Sequence, residues 1–340
     1  MGKLKILTTN AKNNCVFWNE NVTIYSEYLD ELSAIWRTNK AESIIFNLKW
    51  AYRFFVKSRD YDAIATNADK ASMIFAIMQL LFRRVRKPHI LLFVLWNLPE
   101  NKFKRDLKLF LYKIILKSVS KVIVFSKKQQ TLHSIAFDVP ADKFPVVPFH
   151  TTIHNVDFEI KEGDYLFAGG DTGRDYNTLI EAVRGLPYRL IIAALHRHHF
   201  NGIDMPENVS IVTVNGDEFM RLIAGCRAMV LPLFNKVLQA GGQQTFLNAM
   251  AMGKTVIVAD SNSADEYIEN GIDGLIIPPE DVDAMRAAII SVMNNARICK
   301  TIGENAKLKS NMYPVAKFTK EVYSIVVNTY CYLNNKGKVH

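Results

Sequence analysis

The chain has 340 residues, of which 49% are apolar and 22% charged. This length and composition predict two globular domains with cores of their own and exclude long disordered stretches. No stretch reaches the ~18 apolar residues that span a bilayer, and Cys15, Cys226, Cys299 and Cys331 are too scattered for a disulfide scaffold or a closed zinc site. The opening residues lack the cleavage site of a signal peptide, so we expect a cytoplasmic protein.

The net charge of +9 is distributed unevenly. Residues 1–150 hold 24 lysines and arginines against 12 aspartates and glutamates, whereas the remaining residues hold 18 against 21. The stretch from Arg83 to Lys128 alone has 13 basic and 2 acidic side chains. Two halves of opposite charge predict different partners.

Strands and helices alternate through the first half. The pattern predicts strands at Lys5–Thr9, Asp62–Thr66, Ile90–Leu95 and Val122–Ser126, and helices at Tyr25–Trp36, Ala71–Phe82 and Lys102–Ser118. This alternation is typical of a parallel sheet that helices cover on both faces.

The alternation breaks around Phe144–Asp157, where two prolines and short polar residues predict a linker. A second series follows, with strands at Tyr165–Ala168, Arg189–Ala193 and Thr255–Ala259, helices at Tyr176–Arg184, Gln244–Met252, Asp281–Asn294 and Val315–Leu333, and Val209–Val214, Phe219–Cys226 and Ala228–Pro232 continuing the alternation. We therefore predict an α/β protein with two doubly wound, Rossmann-like domains facing a cleft. Their predicted limits are residues 1–148 and 149–312, and a helix within residues 313–340 is expected to pack back on the first domain.

Two glycine-containing segments are candidates for a phosphate site. In Gly241–Asp260, two glycines and polar residues open a helix, whose free N–H groups and dipole can hold an anion. In Tyr165–Ala182, a strand runs into Gly169 and Gly170, and Arg174 stands just before a helix, where it could neutralise a diphosphate. An ordinary helix start and a surface arginine beside a turn are the alternatives.

Together and in this order, the segments resemble family-4 glycosyltransferases, which are retaining enzymes with the GT-B fold. The resemblance runs from about Val146 to Asn294. It is carried by Gly169-Gly170 with Arg174-Asp-Tyr, by Pro232, by Asn248-Ala-Met-Ala-Met-Gly-Lys-Thr-Val-Ile and by Asp265-Glu-Tyr-Ile-Glu-Asn-Gly. The first half matches only in its order of elements.

The resemblance implies a nucleoside diphosphate sugar as donor substrate, with no separate cofactor and no metal. Gly169 and Gly170 would lie under the donor phosphates, and Arg174 would bind the diphosphate. The distal phosphate and the sugar would receive amides from the start of the helix, at Gly242, Gln243, Gln244 and Thr245. The backbone around Val214 and Asn215 would touch the nucleobase.

The chain departs from the family at two places. The family usually carries two glutamates eight positions apart around this helix, and here those positions are Ala240 and Asn248. Asn248 can still hydrogen-bond a ribose hydroxyl. Where the family often has a first-domain histidine, the chain has Trp96-Asn-Leu-Pro-Glu100. We expect Arg174, Gln243 and Glu100 to act as the catalytic groups, or the activity to be weak or lost.

The basic helix Lys102–Ser118 has two predicted faces. Phe103, Leu107, Phe110 and Ile114 form an apolar stripe that reads as the core face. The opposite arc mixes basic and apolar residues, which suits an anionic membrane surface: Arg105, Leu109, Tyr112, Lys113, Leu116 and Lys117. A solvated basic face is the alternative. Nucleic-acid binding is not predicted, because the sequence contains no recognisable nucleic-acid-binding module.

The histidines indicate no metal site. His196-Arg-His-His199 has no zinc-ligand spacing and reads as a loop after a strand. His150 and His154, at the linker, could face the cleft.

These observations predict a transferase that moves a sugar, with retention, to a lipid-linked or saccharide acceptor. The enzyme would work at the inner face of the membrane, in surface polysaccharide or glycolipid assembly. Two alternatives stay open: a non-catalytic GT-B protein that binds nucleotide sugar or a partner enzyme, and a sugar-nucleotide epimerase.

Overall fold

The computed structural model describes residues 4–11, 15–35, 40–82, 87–94, 96, 98–99, 101–153, 159–196, 200–234, 238, 241–261 and 263–336. The chain forms two compact units, Met1–Pro148 together with Val315–His340, and Phe149–Pro314. The boundary after residue 148 coincides with the one that the sequence predicts, and the last helix is part of the first unit.

The first unit is built on a five-stranded parallel sheet. Its elements are β1 (Ile6–Thr8), α1 (Val16–Asn21), β2 (Thr23–Ile24), α2 (Ser26–Ile35), α3 (Lys40–Lys57), β3 (Ala63–Thr66), α4 (Lys70–Leu81), β4 (His89–Leu91), α5 (Lys102–Ser118), β5 (Lys121–Val122) and α6 (Lys127–Phe137). The strand order is β2-β1-β3-β4-β5, one of the two common doubly wound orders. The predicted alternation of strands and helices is thus confirmed for this unit.

Helix α3 supplies much of the core of the first unit. Phe46, Trp50 and Phe54 recur every four residues and are buried against Tyr28 and other residues of α2, α4 and the sheet. This helix was not predicted from the sequence. Apolar residues lie on most of its sides, so no polar face reveals the helical period.

The last helix, α13 (Val315–Lys336), begins directly after Pro314. The ring centroid of Phe318 lies 6.5 Å from that of Phe125 in the first unit. The Thr319 hydroxyl lies 3.2 Å from the Cys15 thiol, so the helix joins the core of the first unit.

The second unit is built on a six-stranded parallel sheet. Its elements are β6 (Tyr165–Gly169), α7 (Tyr176–Val183), β7 (Arg189–Ala193), β8 (Val209–Val212), α8 (Gly216–Gly225), β9 (Ala228–Leu231), α9 (Gln243–Ala251), β10 (Thr255–Ala259), α10 (Ala264–Tyr267), β11 (Leu275–Ile277), α11 (Val282–Asn294) and α12 (Ala296–Ser310). The order β11-β10-β9-β6-β7-β8 is the order of a Rossmann fold. Helices start where the sequence supplies caps: Asp175, Asn215 and Asp281 each accept a backbone N–H from the first turn.

The strand order of the second unit reverses between β6 and β9. These two strands pair through Leu166 with Ala228 and Phe167 with Met229. In a doubly wound sheet, a crevice opens at the carboxyl ends of the two strands that flank such a reversal, and ligands bind there. We therefore expect a ligand-binding site at the loops that follow β6 and β9.

Candidate active site of the second unit

The loop after β6 is bonded to the segment after β9. The Asp175 amide donates to the Pro232 carbonyl at 3.0 Å, and the Phe234 amide donates to the Gly173 carbonyl at 3.1 Å. Between these bonds, Arg174 and Leu233 pair as an antiparallel bridge. Arg174 is thereby held at the reversal of strand order.

The guanidinium of Arg174 is buried with one end unused. The side chain is 6% exposed, and its Nε and Nη1 donate to the carbonyls of Gly169 (2.9 Å) and Thr172 (2.8 Å). No hydrogen bond of Nη2 is found within the described part of the chain. Burial lowers the pKa of this group, and the nearby Tyr176 and Asp171 oppose that effect. Because guanidinium stays protonated in proteins, the site holds a fixed positive charge.

The two predicted glycines fit closely around this arginine. Gly170 has a φ of +101°, and a Cβ there would lie 2.8 Å from Nη2 of Arg174. At Gly169, a Cβ would lie 2.4 Å from the ring of Phe219. Glycine is therefore needed at both positions to accommodate the side chains of Arg174 and Phe219. This reason differs from the close approach of a phosphate that the sequence predicts.

The start of α9 offers two unused amides. Gly242, the residue before the helix, has a φ of +82°, and a Cβ there would lie 2.2 Å from Leu231 Cδ2. The Gly242 carbonyl accepts from the amides of both Thr245 and Phe246, so the Thr245 amide predicted to meet the donor is already bonded. For the amides of Gln243 and Gln244, no acceptor is found among the residues described. Fewer amides at the start of α9 are thus available to an anion than the sequence predicts.

Contacts through Leu233 connect Arg174 to the start of α9. The backbone of Leu233 pairs with that of Arg174, and Cδ1 of Leu233 lies 3.6 Å from the position that a Cβ at Gly242 would take. Leu233 therefore contacts both the segment of Arg174 and the residue that precedes α9. An arginine and the amides of a helix start are donors that can bind an anion whose charge is spread over two phosphates.

The side chains of Gln243 and Gln244 differ. Gln243 is 4% exposed, and its Nε2 donates to the Ser263 hydroxyl at 2.6 Å, so this side chain holds the turn after β10. Gln244 is exposed. The same turn places Ser261 with a buried hydroxyl that has no partner among the described residues. Ser261 was not among the predicted site residues, although its position two residues after a predicted strand puts it at the ligand-binding edge.

Asn248 uses its amide within the protein. Its Oδ1 accepts from the Thr152 amide at 2.8 Å, and its Nδ2 donates to the Thr152 hydroxyl at 2.7 Å. The side chain is 1% exposed. The predicted bond to a ribose hydroxyl stays a prediction, but the structure gives this amide another role, that of joining α9 to the start of the unit.

Other predicted positions fall at the edge of the site or outside the described residues. Val214 is half-buried and Asn215 exposed, and the Asn215 side chain caps α8 by accepting from the Glu218 amide at 2.9 Å. Glu100 and Ala240 lie outside the described residues.

His196 faces a carboxylate. The Asp171 carboxylate accepts from the amides of Leu195 and His196 and lies 3.2 Å from the His196 ring. Burial would raise the pKa of Asp171, but these bonds outweigh it and hold the pKa below its usual value. The described residues contain no group of three potential metal ligands. His154 and residues 197–199 lie outside them, and the His150 ring lies 2.7 Å from the Thr151 carbonyl.

On the basic helix α5, the predicted faces were wrong. Tyr112 and Leu116 are 6% and 2% exposed, because they pack into the first unit, where Tyr112 stacks on Trp96. The exposed apolar side chains are instead those predicted for the core or left out of the stripes: Phe103 (78%), Leu107 (52%), Phe110 (61%) and Leu111 (43%). Lys117 is exposed, while Arg105, Leu109 and Lys113 are half-buried. Among the described helices, none combines the length and apolar character that crossing a membrane requires.

Known proteins share the sequence pattern of the second unit. Residues 177–295 match the family model described as glycosyl transferases group 1. An uncharacterized glycosyltransferase of Methanocaldococcus jannaschii is 23% identical over 316 residues, which cover 84% of this chain and 80% of the relative.

Solved structures share the fold at low sequence identity. Sucrose-phosphate synthase from Thermosynechococcus elongatus aligns with a TM-score of 0.66 at 15% identity, over 87% of this chain and 81% of that chain. Anabaena HepE in complex with UDP-glucose aligns with a TM-score of 0.68 at 14% identity, over 96% and 100%. These likenesses confirm the predicted GT-B fold class, and the family match confirms the resemblance to glycosyltransferases. Family 4 and retention of configuration stay predictions.

Proposed function

We propose that this protein is a glycosyltransferase that moves a sugar from a nucleoside diphosphate sugar to a membrane-associated acceptor. The observation that carries the proposal is the join at the reversal of strand order, where Arg174 and the free amides of α9 flank Leu233. The group 1 family match covers α9, and one structural neighbour was solved with UDP-glucose. A diphosphate is the ligand that these donors suit best.

In the proposed reaction, the oxygen of an acceptor hydroxyl bonds to the anomeric carbon while the bond from that carbon to the diphosphate oxygen breaks, and the departing phosphate helps to take the acceptor proton. Arg174 and the amides of Gln243 and Gln244 would stabilise the charge that develops on the departing diphosphate. Gly169 and Gly170 would lie under the phosphates, and the backbone at Val214 and Asn215 would contact the base. These roles need no metal, because fixed positive groups balance the diphosphate.

Further details of the reaction are part of the same proposal. We expect retention of configuration, with Glu100 and Gln243 near the reacting sugar, and an acceptor that is lipid-linked or a saccharide. Surface polysaccharide or glycolipid assembly is the setting that fits such an acceptor.

Thermal unfolding with UDP, GDP, ADP and their sugars tests the donor site. A ligand at ~100 times its dissociation constant should stabilise the fold by roughly 2.7 kcal/mol. We expect one base to give this shift, and Arg174→Gln to abolish it. The matched control is Arg184→Gln, since Arg184 pairs with Glu181 on the same unit but away from the loop after β6. A shift that survives in the Arg174 variant, or is absent for every nucleotide, contradicts the proposed site.

A non-catalytic nucleotide-sugar-binding protein is the second candidate. The observation that favours it is the Asn248 amide bonded to Thr152 at a position where the resembled family carries a glutamate. Incubation of the stabilising donor with the protein separates the candidates. Slow release of nucleoside diphosphate indicates a transferase, an epimerised sugar nucleotide indicates an epimerase, and an unchanged donor favours the binding protein.

The membrane part of the proposal rests on exposed apolar side chains of the first unit. Beside the exposed residues of α5, helix α3 exposes Ile44 (61%), Leu48 (53%), Tyr52 (61%) and Val56 (42%), spaced four residues apart along one stripe. Apolar side chains next to lysines suit an anionic interface, since the cations meet headgroups and the apolar groups enter the boundary. The residues expected in the membrane are thus Phe103, Leu107 and Phe110, and not Tyr112 or Leu116.

Flotation with anionic vesicles tests this surface. We expect the wild type to float and the double variant Phe103→Ser/Phe110→Ser to remain with the soluble fraction. Leu308→Ser is the matched control, because Leu308 is an equally exposed leucine (70%) on the second unit. Equal flotation of the wild type and the double variant would overturn the proposed membrane surface.

A further inference from the structure

The first unit contains a cavity of about 920 Å³ at the amino ends of β4 and β5. Lys87 precedes β4 and Lys121 opens β5, so this edge of the sheet is opposite to the carboxyl ends where doubly wound folds bind their substrates. The carboxyl-terminal ends of α4 and α5 form further walls, and residues 328–334 of α13 close one side. A volume of this size lies in the range of small-molecule sites.

Four lysines line the cavity, against one carboxylate. They are Lys87, Lys117, Lys121 and Lys143, and the carboxylate is that of Asp142. Lys121 is bonded within the wall, since its ammonium donates to the Asp142 carbonyl at 2.6 Å and pairs with the Asp142 carboxylate at 3.1 Å. Lys143 donates to the Val119 carbonyl. These contacts give partners to two of the four lysines, Lys121 and Lys143.

The other two lysines have no such partner. For Lys87 and Lys117, no ion pair or hydrogen bond is found in the described part of the chain. Gln79 also lines the cavity; it is 3% exposed, and its Nε2 has no partner among the described residues. Unpaired cations and an unused buried donor together leave the cavity with more donors than the wall can satisfy.

Lys143 has a neighbouring lysine in the wall of the cavity. Burial lowers the pKa of Lys143 to about 8, the nearby Lys121 adds to this effect, and Asp142 opposes it. A bound anion would relieve this repulsion, since an opposite charge stabilises the ammonium form.

We propose that this cavity binds a phosphate- or pyrophosphate-bearing molecule, through Lys87, Lys117 and Lys121, at a site separate from the proposed donor site. Phosphate fits because lysine is a common phosphate ligand and because four lysines line the cavity against a single carboxylate. The phosphate could be that of a soluble metabolite or of a lipid headgroup, and the two sources share this chemistry.

Hydrogen–deuterium exchange of the full chain, with saturating sodium pyrophosphate, tests the site. We expect slower exchange in residues 79–82, 117–121 and 328–334. This readout is independent of the donor site, whose peptides lie in the second unit, so a failure of one leaves the other standing. Vesicles of phosphatidylglycerol, with phosphatidylcholine as the neutral comparison, form a second arm. Protection by pyrophosphate identifies a soluble ligand, and protection by the anionic vesicles alone identifies a headgroup.

A pair of double variants makes the test specific. Lys87→Gln/Lys117→Gln removes the two lysines that have no structural bond, so the fold should persist, and the affinity for the protecting probe should fall about tenfold or more. Lys70→Gln/Lys300→Gln removes two exposed lysines, one on α4 and one on α12, and should leave the affinity within about twofold. The proposal is overturned if no probe protects the cavity, or if both double variants weaken binding equally.

Discussion

The two units share one architecture and present their chemistry at different places. Both are parallel, doubly wound sheets. The second unit concentrates glycine turns, Arg174 and free amides at the reversal of its strand order. The first unit instead exposes apolar and basic side chains on α3 and α5 and places a lysine-lined cavity at the opposite edge of its sheet. We therefore expect the same scaffold to bind different partners in the two units, according to which edges and helix faces carry the charge.

The largest expected effect tests which face of α5 belongs to the core of the first unit. Leu116→Ala should lower the free energy of unfolding by about 2–5 kcal/mol, because Leu116 is 2% exposed and its removal leaves a cavity. Phe110→Ala, on the exposed face, should change it by no more than about 0.5 kcal/mol. Urea denaturation measures both. Equal losses would show that the two faces contribute alike.

In the second unit, the turn before α9 should be nearly as sensitive. Gly242→Ala should cost about 2–4 kcal/mol, since the new Cβ meets Leu231 and alanine disfavours a φ of +82°. Gly216→Ala is the control, because a Cβ there meets nothing within 4 Å. Denaturant unfolding of the two variants checks this, and a Gly242 variant as stable as the control would contradict the strained turn.

A buried histidine should make the first unit sensitive to acid. His133 packs among Trp96, Phe137 and Phe144, and burial lowers its pKa to about 4. The unfolded chain binds the proton at a pKa near 6.5, whereas the folded chain binds it only near 4. Protonation below about pH 6.5 therefore favours the unfolded state. Stability should therefore fall as the pH drops from about 6.5 towards 4.

Removal of this histidine should flatten the pH dependence. Between about pH 7 and about pH 5, His133→Phe should lose about 1–2 kcal/mol less stability than the wild type, because phenylalanine fills the same ring cluster without binding a proton. Chemical denaturation at each pH gives the comparison. Parallel curves for the two proteins would mean that His133 titrates normally in the fold.

The smallest expected effect concerns a predicted base contact of the second unit. Asn215→Ala removes the cap of α8 and should cost about 1 kcal/mol, and Asn215→Ser should restore most of it. Since the proposed base contact uses the backbone, nucleotide affinity by calorimetry should not change in either variant. A nucleotide that binds much more weakly to the serine variant would assign the asparagine side chain to the site.

The predicted elements matched best where the signals are local. Helix α5 and strands β7 and β10 have the predicted bounds, because a cap or turn and a run of periodic residues mark each end. Helix α3 was missed, since its apolar residues surround the axis and only packing decides which of them are buried. The predicted strands Ile90–Leu95 and Val122–Ser126 are shorter in the structure, at His89–Leu91 and Lys121–Val122.

The features of the candidate site likewise divide into those that local sequence indicates and those that only the folded chain shows. Gly170 and Gly242 could be found from sequence, because a positive φ leaves a signature in residue type, and Gly169 and Arg174 were found beside them in the same motif. The partners of Asn248 and Gln243, and the pairing of Arg174 with Leu233, could not. Thr152 is 96 residues from Asn248, and Ser263 is 20 residues from Gln243, so these bonds exist only once the chain has folded.

The sequence by itself determined the alternation of strands and helices, the boundary near residue 148, the glycine turns and the uneven charge, since each depends on residue types that are close along the chain. Only the tertiary structure decided which face of α5 is buried, which amides of α9 stay free, and that four lysines from distant segments line one cavity. The physical reason is that burial and hydrogen-bond satisfaction depend on neighbours brought together across long sequence separations.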